Sequence, residues 1–119
     1  MKNIFLKIVF VCACIMIPCS SFAQEAGDDI GEQIFRKKCS GCHGRDGKTQ
    51  AFGISRKLAE MPSSEIKDRL TLFYNDKNLQ SSGGVSGVMS KQTSALNKQQ
   101  FDGVLSYVQK NFASDKASR

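Results

Sequence analysis

The chain has no tryptophan, a single histidine and only two prolines in 119 residues. With one imidazole, His43, it cannot by itself build metal sites or proton relays that need two. No segment alternates polar and apolar residues as a half-buried strand would, which argues against a sheet scaffold. Few large aromatics in so short a chain make a modest core, marginal without a staple or a bound ligand. Repeats, low-complexity blocks and linker-like composition are also missing, so the chain reads as one domain.

Cysteine is scarcer than its count of five suggests. Cys12, Cys14 and Cys19 lie in an N-terminal stretch that carries Lys2 and Lys7, runs apolar over 8–17 and breaks at Pro18. That order is a charged segment followed by an apolar one, and Ser21-Phe22-Ala23 places small residues where a signal peptidase reads. The expected domains are therefore a cleaved signal peptide over 1–23 and a mature domain over 24–119. The apolar run is about half the roughly twenty residues that span a bilayer. Lipid attachment through Cys14 or Cys19 is the weaker alternative, because Met16-Ile17-Pro18 is poorly shaped for it and Cys14 leaves too short an apolar run. The mature form is thus expected to be periplasmic and not membrane-spanning, with Cys39 and Cys42 its remaining thiols. Loss of Lys2 and Lys7 lowers the formal net charge from +6 to +4. That balance is too mild to argue for nucleic acid, though lysines such as Lys48, Lys57 and Lys91 would suit steered docking onto acidic partners.

Three segments carry helical periodicity. Over 28–39, Ile30, Ile34 and Phe35 share a face, while Asp28, Asp29 and Glu32 complement the dipole of the first turn. Over 62–74, Pro62, a serine cap and Glu65 mark a start, and Ile66, Leu70 and Phe73 recur at helix spacing. Over 97–112, Asn97 and Gln100 form a capping box, Leu96 can staple to Phe101, and Val104, Leu105 and Val108 extend the apolar stripe. The stretches 44–58 and 75–95 read as long loops, and loops of that length in a small domain usually serve a function. Residues 114–119 form a polar tail expected to fray. The fold class is all-α.

The chemistry is concentrated in Cys39-Ser40-Gly41-Cys42-His43. Two thiols one helical turn apart can reach the two vinyl groups on one edge of a porphyrin, while the adjacent imidazole swings beneath the ring to ligate iron. This spacing is that of c-type haem attachment. Zinc normally takes four ligands, and the mature chain offers two cysteines and one histidine in one pentapeptide. Thiol–disulfide exchange through Cys39 and Cys42 is the better rival, but it usually sits on a βαβ scaffold; a structural disulfide is the plainest alternative. A flat apolar cofactor would also supply the missing core and order the two loops.

On the opposite face of the iron a second ligand is needed if electrons are to be carried. The mature chain has Met61 and Met89. Met89 stands in the Gly-rich stretch ahead of the last helix, where Gly84 and Gly87 let the backbone pass close to a ring. Met61, at the mouth of the middle helix, reads as core packing. A thioether ligand raises the reduction potential of haem iron, which suits the oxidising end of a respiratory chain.

The motif Cys39 to Gly44 followed by Asp46-Gly47-Lys48, with a methionine ahead of the last helix, resembles the class I cytochromes c, in particular the monohaem c-553 group of bacteria. The resemblance covers almost all of the mature chain. It implies three main helices wrapped around one covalent haem c, with Cys39 and Cys42 as thioethers, His43 as proximal ligand and Met89 as distal ligand. It further implies an N-terminal helix that crosses the C-terminal one at a glycine–aromatic contact, Gly31 and Phe35 against Tyr107. Many members have a proline after the motif whose carbonyl orients the ligand histidine. Here none occurs between Gly44 and Met61, so another backbone carbonyl is expected to do so, and a hydroxyl or amide within 90–93 is expected to orient the methionine. The functional expectation is a monomeric one-electron carrier, not an enzyme, whose partners are redox proteins such as a terminal oxidase, a peroxidase or a membrane cytochrome complex. An iron site left open for peroxide or gas chemistry is the alternative. Pyridine haemochrome analysis of the purified protein is expected to show one covalently held haem per chain; none would leave the dithiol reading in its place.

Overall fold

A computed structural model describes residues 22–115. The expected signal peptide lies, but for its last two residues, outside the described residues. Helix α1 spans Phe22–Ile34 and runs on through a π-helical turn, Phe35–Cys39, into the short helix α2, Ser40–His43. Single 3₁₀ turns at Ala51–Gly53 and Leu58–Glu60 punctuate the next stretch. Helices α3 (Ser63–Asn75), α4 (Lys77–Ser81), α5 (Gly84–Ser94) and α6 (Lys98–Phe112) complete an all-helical chain, with no strand among the described residues.

The three expected helices are present, and two differ in how they begin. The first is already helical at Phe22, before the acidic residues of 28–32, and Asp28 is engaged with α6 rather than at a helix start: its carboxylate accepts from Lys110 Nζ at 2.5 Å and from Ser106 Oγ at 3.4 Å. Helix α3 lacks the expected serine cap. Its Ser63 N–H donates instead to Asp115 Oδ1 at 2.9 Å, so a carboxylate from the far end of the chain caps it. That bond, with Ser114 N donating to Met61 O at 2.9 Å, ties down the first two residues of the tail expected to fray; 116–119 lie outside the described residues. At α6 the capping box forms as the sequence indicates, with Gln100 N donating to Asn97 Oδ1 and Asn97 N to Gln100 Oε1.

The stretch 75–95 is a correction. It folds as α4 and α5 rather than as a loop. Asp76 starts α4 by accepting from Asn78 N at 2.8 Å, and Gly84, at φ +76, opens α5. The periodicity was invisible because the buried face of α5 is Gly87, Ser90 and Thr93, small or polar residues that draw no apolar stripe. The stretch 44–58, by contrast, is irregular apart from the 3₁₀ turn at Ala51–Gly53 and the start of the next at Leu58.

The core joins α1, α3 and α6 through Ile34, Phe35, Met61, Ile66, Leu96, Phe101, Val104, Val108 and Phe112. Phe35 is its centre, 1% exposed, with ring centroids 4.7 Å from Phe112 and 5.6 Å from Tyr107. Tyr74 stacks on Phe101 at 4.2 Å, which fastens α3 to α6. Helices α1 and α6 cross with their backbones in contact. A Cβ on Gly31 would overlap the Gly103 carbonyl and stand 2.9 Å from Tyr107 Cβ. The expected contact of Gly31 and Phe35 with Tyr107 is therefore present, and Gly103, unremarked in the sequence, is its other half. Gly31→Ala should force the two helices apart and cost about 1–3 kcal/mol, as overpacking usually does. Thermal denaturation should show it as a fall of several degrees, whereas Gly27→Ala, where a Cβ meets nothing, should not.

Candidate haem site

The close crossing of α1 and α6 fixes where the chain leaves α1, and the chemistry sits at that exit. A π-helical turn, a distortion common at functional sites, ends on Cys39. Helix α2 then carries Cys42 and His43 within one further turn. The two cysteines stand three residues apart on one face of that turn. Both are free thiols, Cys39 half-buried and Cys42 exposed. Burial pushes the Cys39 thiol up to about 11, opposed in part by the positive charge of Lys38 and reinforced by Cys42.

His43 is only 7% exposed, and both ring nitrogens are buried with no hydrogen-bond partner. Burial also lowers its pKa, so the ring is held neutral with a lone pair available. A buried polar group without a partner costs about 1–3 kcal/mol, and such a group calls for an explanation in a ligand or ion. The backbone around it is well tied. Thr49 N donates to His43 O at 3.1 Å, and Gly44 N to Ser40 O at 2.9 Å. Gly44 takes φ +75 and ψ +157, a conformation open essentially to glycine alone. The backbone carbonyl expected to orient the ring is not found: the imidazole has no acceptor from the described protein atoms.

Among the described residues no group of three or more His, Cys, Asp and Glu side chains could hold a metal ion. One neutral imidazole with two thiols in the same turn suits a planar metal complex that brings most of its own ligands. The donor set fits haem.

Residues 29–111 match the family model of cytochrome c. The chain belongs to the cytochrome c family. It is also similar to a cytochrome c-553 of Desulfomicrobium norvegicum, 28% identical over 80 residues, which are 67% of this chain and 94% of the relative. No solved structure matches at a significant level. The cytochrome is a class I monohaem member with one covalent haem c, and its family role is electron carriage.

The other expected residues come from distant parts of the cytochrome. Met89 stands in α5 rather than in a loop and is partly buried, whereas Met61 is 6% exposed and packed into the core, as a structural methionine would be. The hydroxyls near Met89 donate to backbone carbonyls: Thr93 Oγ1 to Met89 O at 2.9 Å, and Ser90 Oγ to Phe73 O at 2.9 Å. Of the lysines proposed for docking, Lys48 and Lys91 are exposed, while Lys57 is tied to Glu60 at 3.0 Å. Two exposed apolar side chains, Phe52 and Ile54, 62% and 76% exposed, follow the motif closely. Among the described residues no helix is long and apolar enough to cross a membrane.

The strain at Gly44 can be tested. A Cβ there would stand 2.5 Å from Thr49 Oγ1 in addition to its unfavourable backbone angles, whereas at Gly41 it would meet nothing. Gly44→Ala is expected to destabilise the holoprotein by about 1–3 kcal/mol, seen as a lower thermal midpoint, while Gly41→Ala leaves the midpoint within a degree or so.

Proposed function

We propose that the cytochrome is an exported one-electron carrier of a respiratory chain, its mature domain spanning 24–119. Cys39 and Cys42 would form the thioethers, and His43 and Met89 would ligate the iron. The observation that carries this reading is the buried His43 ring with both nitrogens unpartnered, one residue from an exposed thiol and one turn from another.

When bound, haem supplies the Fe(II)/Fe(III) couple. The chain's own residues do the rest. Two bonds from one turn of helix would hold the porphyrin edge against α2, so that the imidazole of His43 needs little further freezing to reach the metal. Its neutral form is already favoured by burial, leaving a nitrogen lone pair to donate. A thioether from Met89 is a soft neutral ligand that favours the reduced state and raises the potential.

Dithiol exchange with Cys39 as the attacking thiol is less well supported, because an attacking cysteine needs a depressed pKa and burial shifts Cys39 the other way. The export reading rests on the N-terminal pattern, and redox proteins with an acidic docking face are the partners that exposed Lys48 and Lys91 would suit.

The ligand assignment is tested by the absorption spectrum of the ferric protein. Methionine ligation gives a weak far-red charge-transfer band, and Met89→Ala should abolish it while leaving covalent haem in place. If the band survives in Met89→Ala and disappears in Met61→Ala, the assignment is wrong.

A further inference from the structure

Helix α5 has an unusual hold on the rest of the molecule. Its buried residues are Gly87, Ser90 and Thr93, with no large apolar side chain among them. At Gly87 it lies directly on the end of α4: a Cβ there would overlap the Ser82 carbonyl and stand 3.3 Å from the Leu79 carbonyl oxygen. At Ser90, whose exposure is 0%, the hydroxyl is 2.9 Å from Phe73 O and 3.2 Å from Asp76 O, at the C-terminal end of α3. The Phe73 carbonyl lies in the last turn of α3, where carbonyls lack an intrahelical donor. Thr93, also buried, donates to Met89 O and, at 3.2 Å, to Ser90 O. Met89 is thus bracketed by a steric stop at Gly87 and a polar anchor at Ser90.

We infer that Ser90 is a positioning residue for the sulfur of Met89, fixing the register of α5 through its hydroxyl's contact with the end of α3. This rests on the reading of Met89 as the distal ligand. Helices packed through apolar stripes can slip by a fraction of a turn with small loss, because the hydrophobic effect has no direction. A hydroxyl between two carbonyls does have direction. Neighbouring residues are about 100° apart around a helix axis, so any rotation or slide of α5 that frees Ser90 also carries Met89 out of place. Backbone geometry alone would leave that seat soft, since α5 opens at Gly83-Gly84 and closes at Ser94-Ala95 without a side-chain cap on its N-terminus.

The test uses the ferric holoprotein and imidazole as the competing ligand. Imidazole binds only when the methionine leaves, so its apparent dissociation constant is the intrinsic one divided by the fraction of molecules with the methionine unseated, and it falls as that fraction grows. Ser90→Ala is expected to retain the far-red band without imidazole but to bind imidazole about tenfold more tightly, the loss of one hydrogen bond in a buried site. Ser86→Ala, exposed on the same helix, should bind imidazole as the wild type does. An unchanged affinity in Ser90→Ala overturns the inference, even if its thermal midpoint falls, because a merely structural serine would lower stability without loosening the ligand. Should Ser90→Ala fail to yield holoprotein, Ser90→Cys keeps the shape in a slightly larger side chain and weakens the donor; a severalfold gain in affinity supports the inference and no gain overturns it. If Met89→Ala retains the far-red band, the ligand reading falls and this inference with it. If Met89→Ala loses the band while both Ser90 variants bind as wild type, only the role of Ser90 falls.

Discussion

The molecule depends first on the contact of two glycine backbones, Gly31 on α1 and Gly103 on α6. Only with no side chain at either position can the helices approach closely enough for Phe35, Tyr107 and Phe112 to close around one another. The ion pair of Lys110 with Asp28 brackets the same crossing on its exposed side, where its energetic worth is small. Because α1 runs unbroken through the π-helical turn into α2, the crossing also sets the position of Cys39, Cys42 and His43. The turn that carries the two thiols and the imidazole is thus the far end of a lever whose fulcrum is the glycine pair.

What the lever presents is a group out of balance with its surroundings. A buried imidazole with no partner at either nitrogen is unfavourable in the protein alone, and the neutral ring that results is a ready metal ligand. Stability given up at a binding site is recovered when the ligand arrives, since a group that binds only the native state stabilises it. The same logic covers the exposed Phe52 and Ile54 near the motif: Phe52 is the only non-glycine residue with positive φ among those described, and strain of that kind collects around functional sites.

Legibility in the sequence followed the type of interaction. The cap of α6 was readable because Asn97 and Gln100 satisfy each other within four residues. The stripes of α1, α3 and α6 were readable because apolar residues repeat with the helix. Helices α4 and α5 escaped notice, since their packing uses Gly87, Ser90 and Thr93, and small or polar residues carry no periodic hydrophobic signal. The cap of α3 could not be read either, because its donor and its acceptor, Ser63 and Asp115, are joined only by the fold. A serine beside a proline suggested a local solution where the structure uses a distant one.

By itself the sequence determined the chemistry and the helical class: two thiols, one imidazole, their spacing and the amphipathic repeats are local properties, set by the order of residues. Tertiary structure decided the rest. Whether His43 is buried and unpartnered, whether Met61 or Met89 is taken up by the core, and which hydroxyl seats α5 are questions of which distant segments touch. Such contacts depend on close packing and on hydrogen-bond direction between elements, and neither is written in the neighbourhood of any one residue.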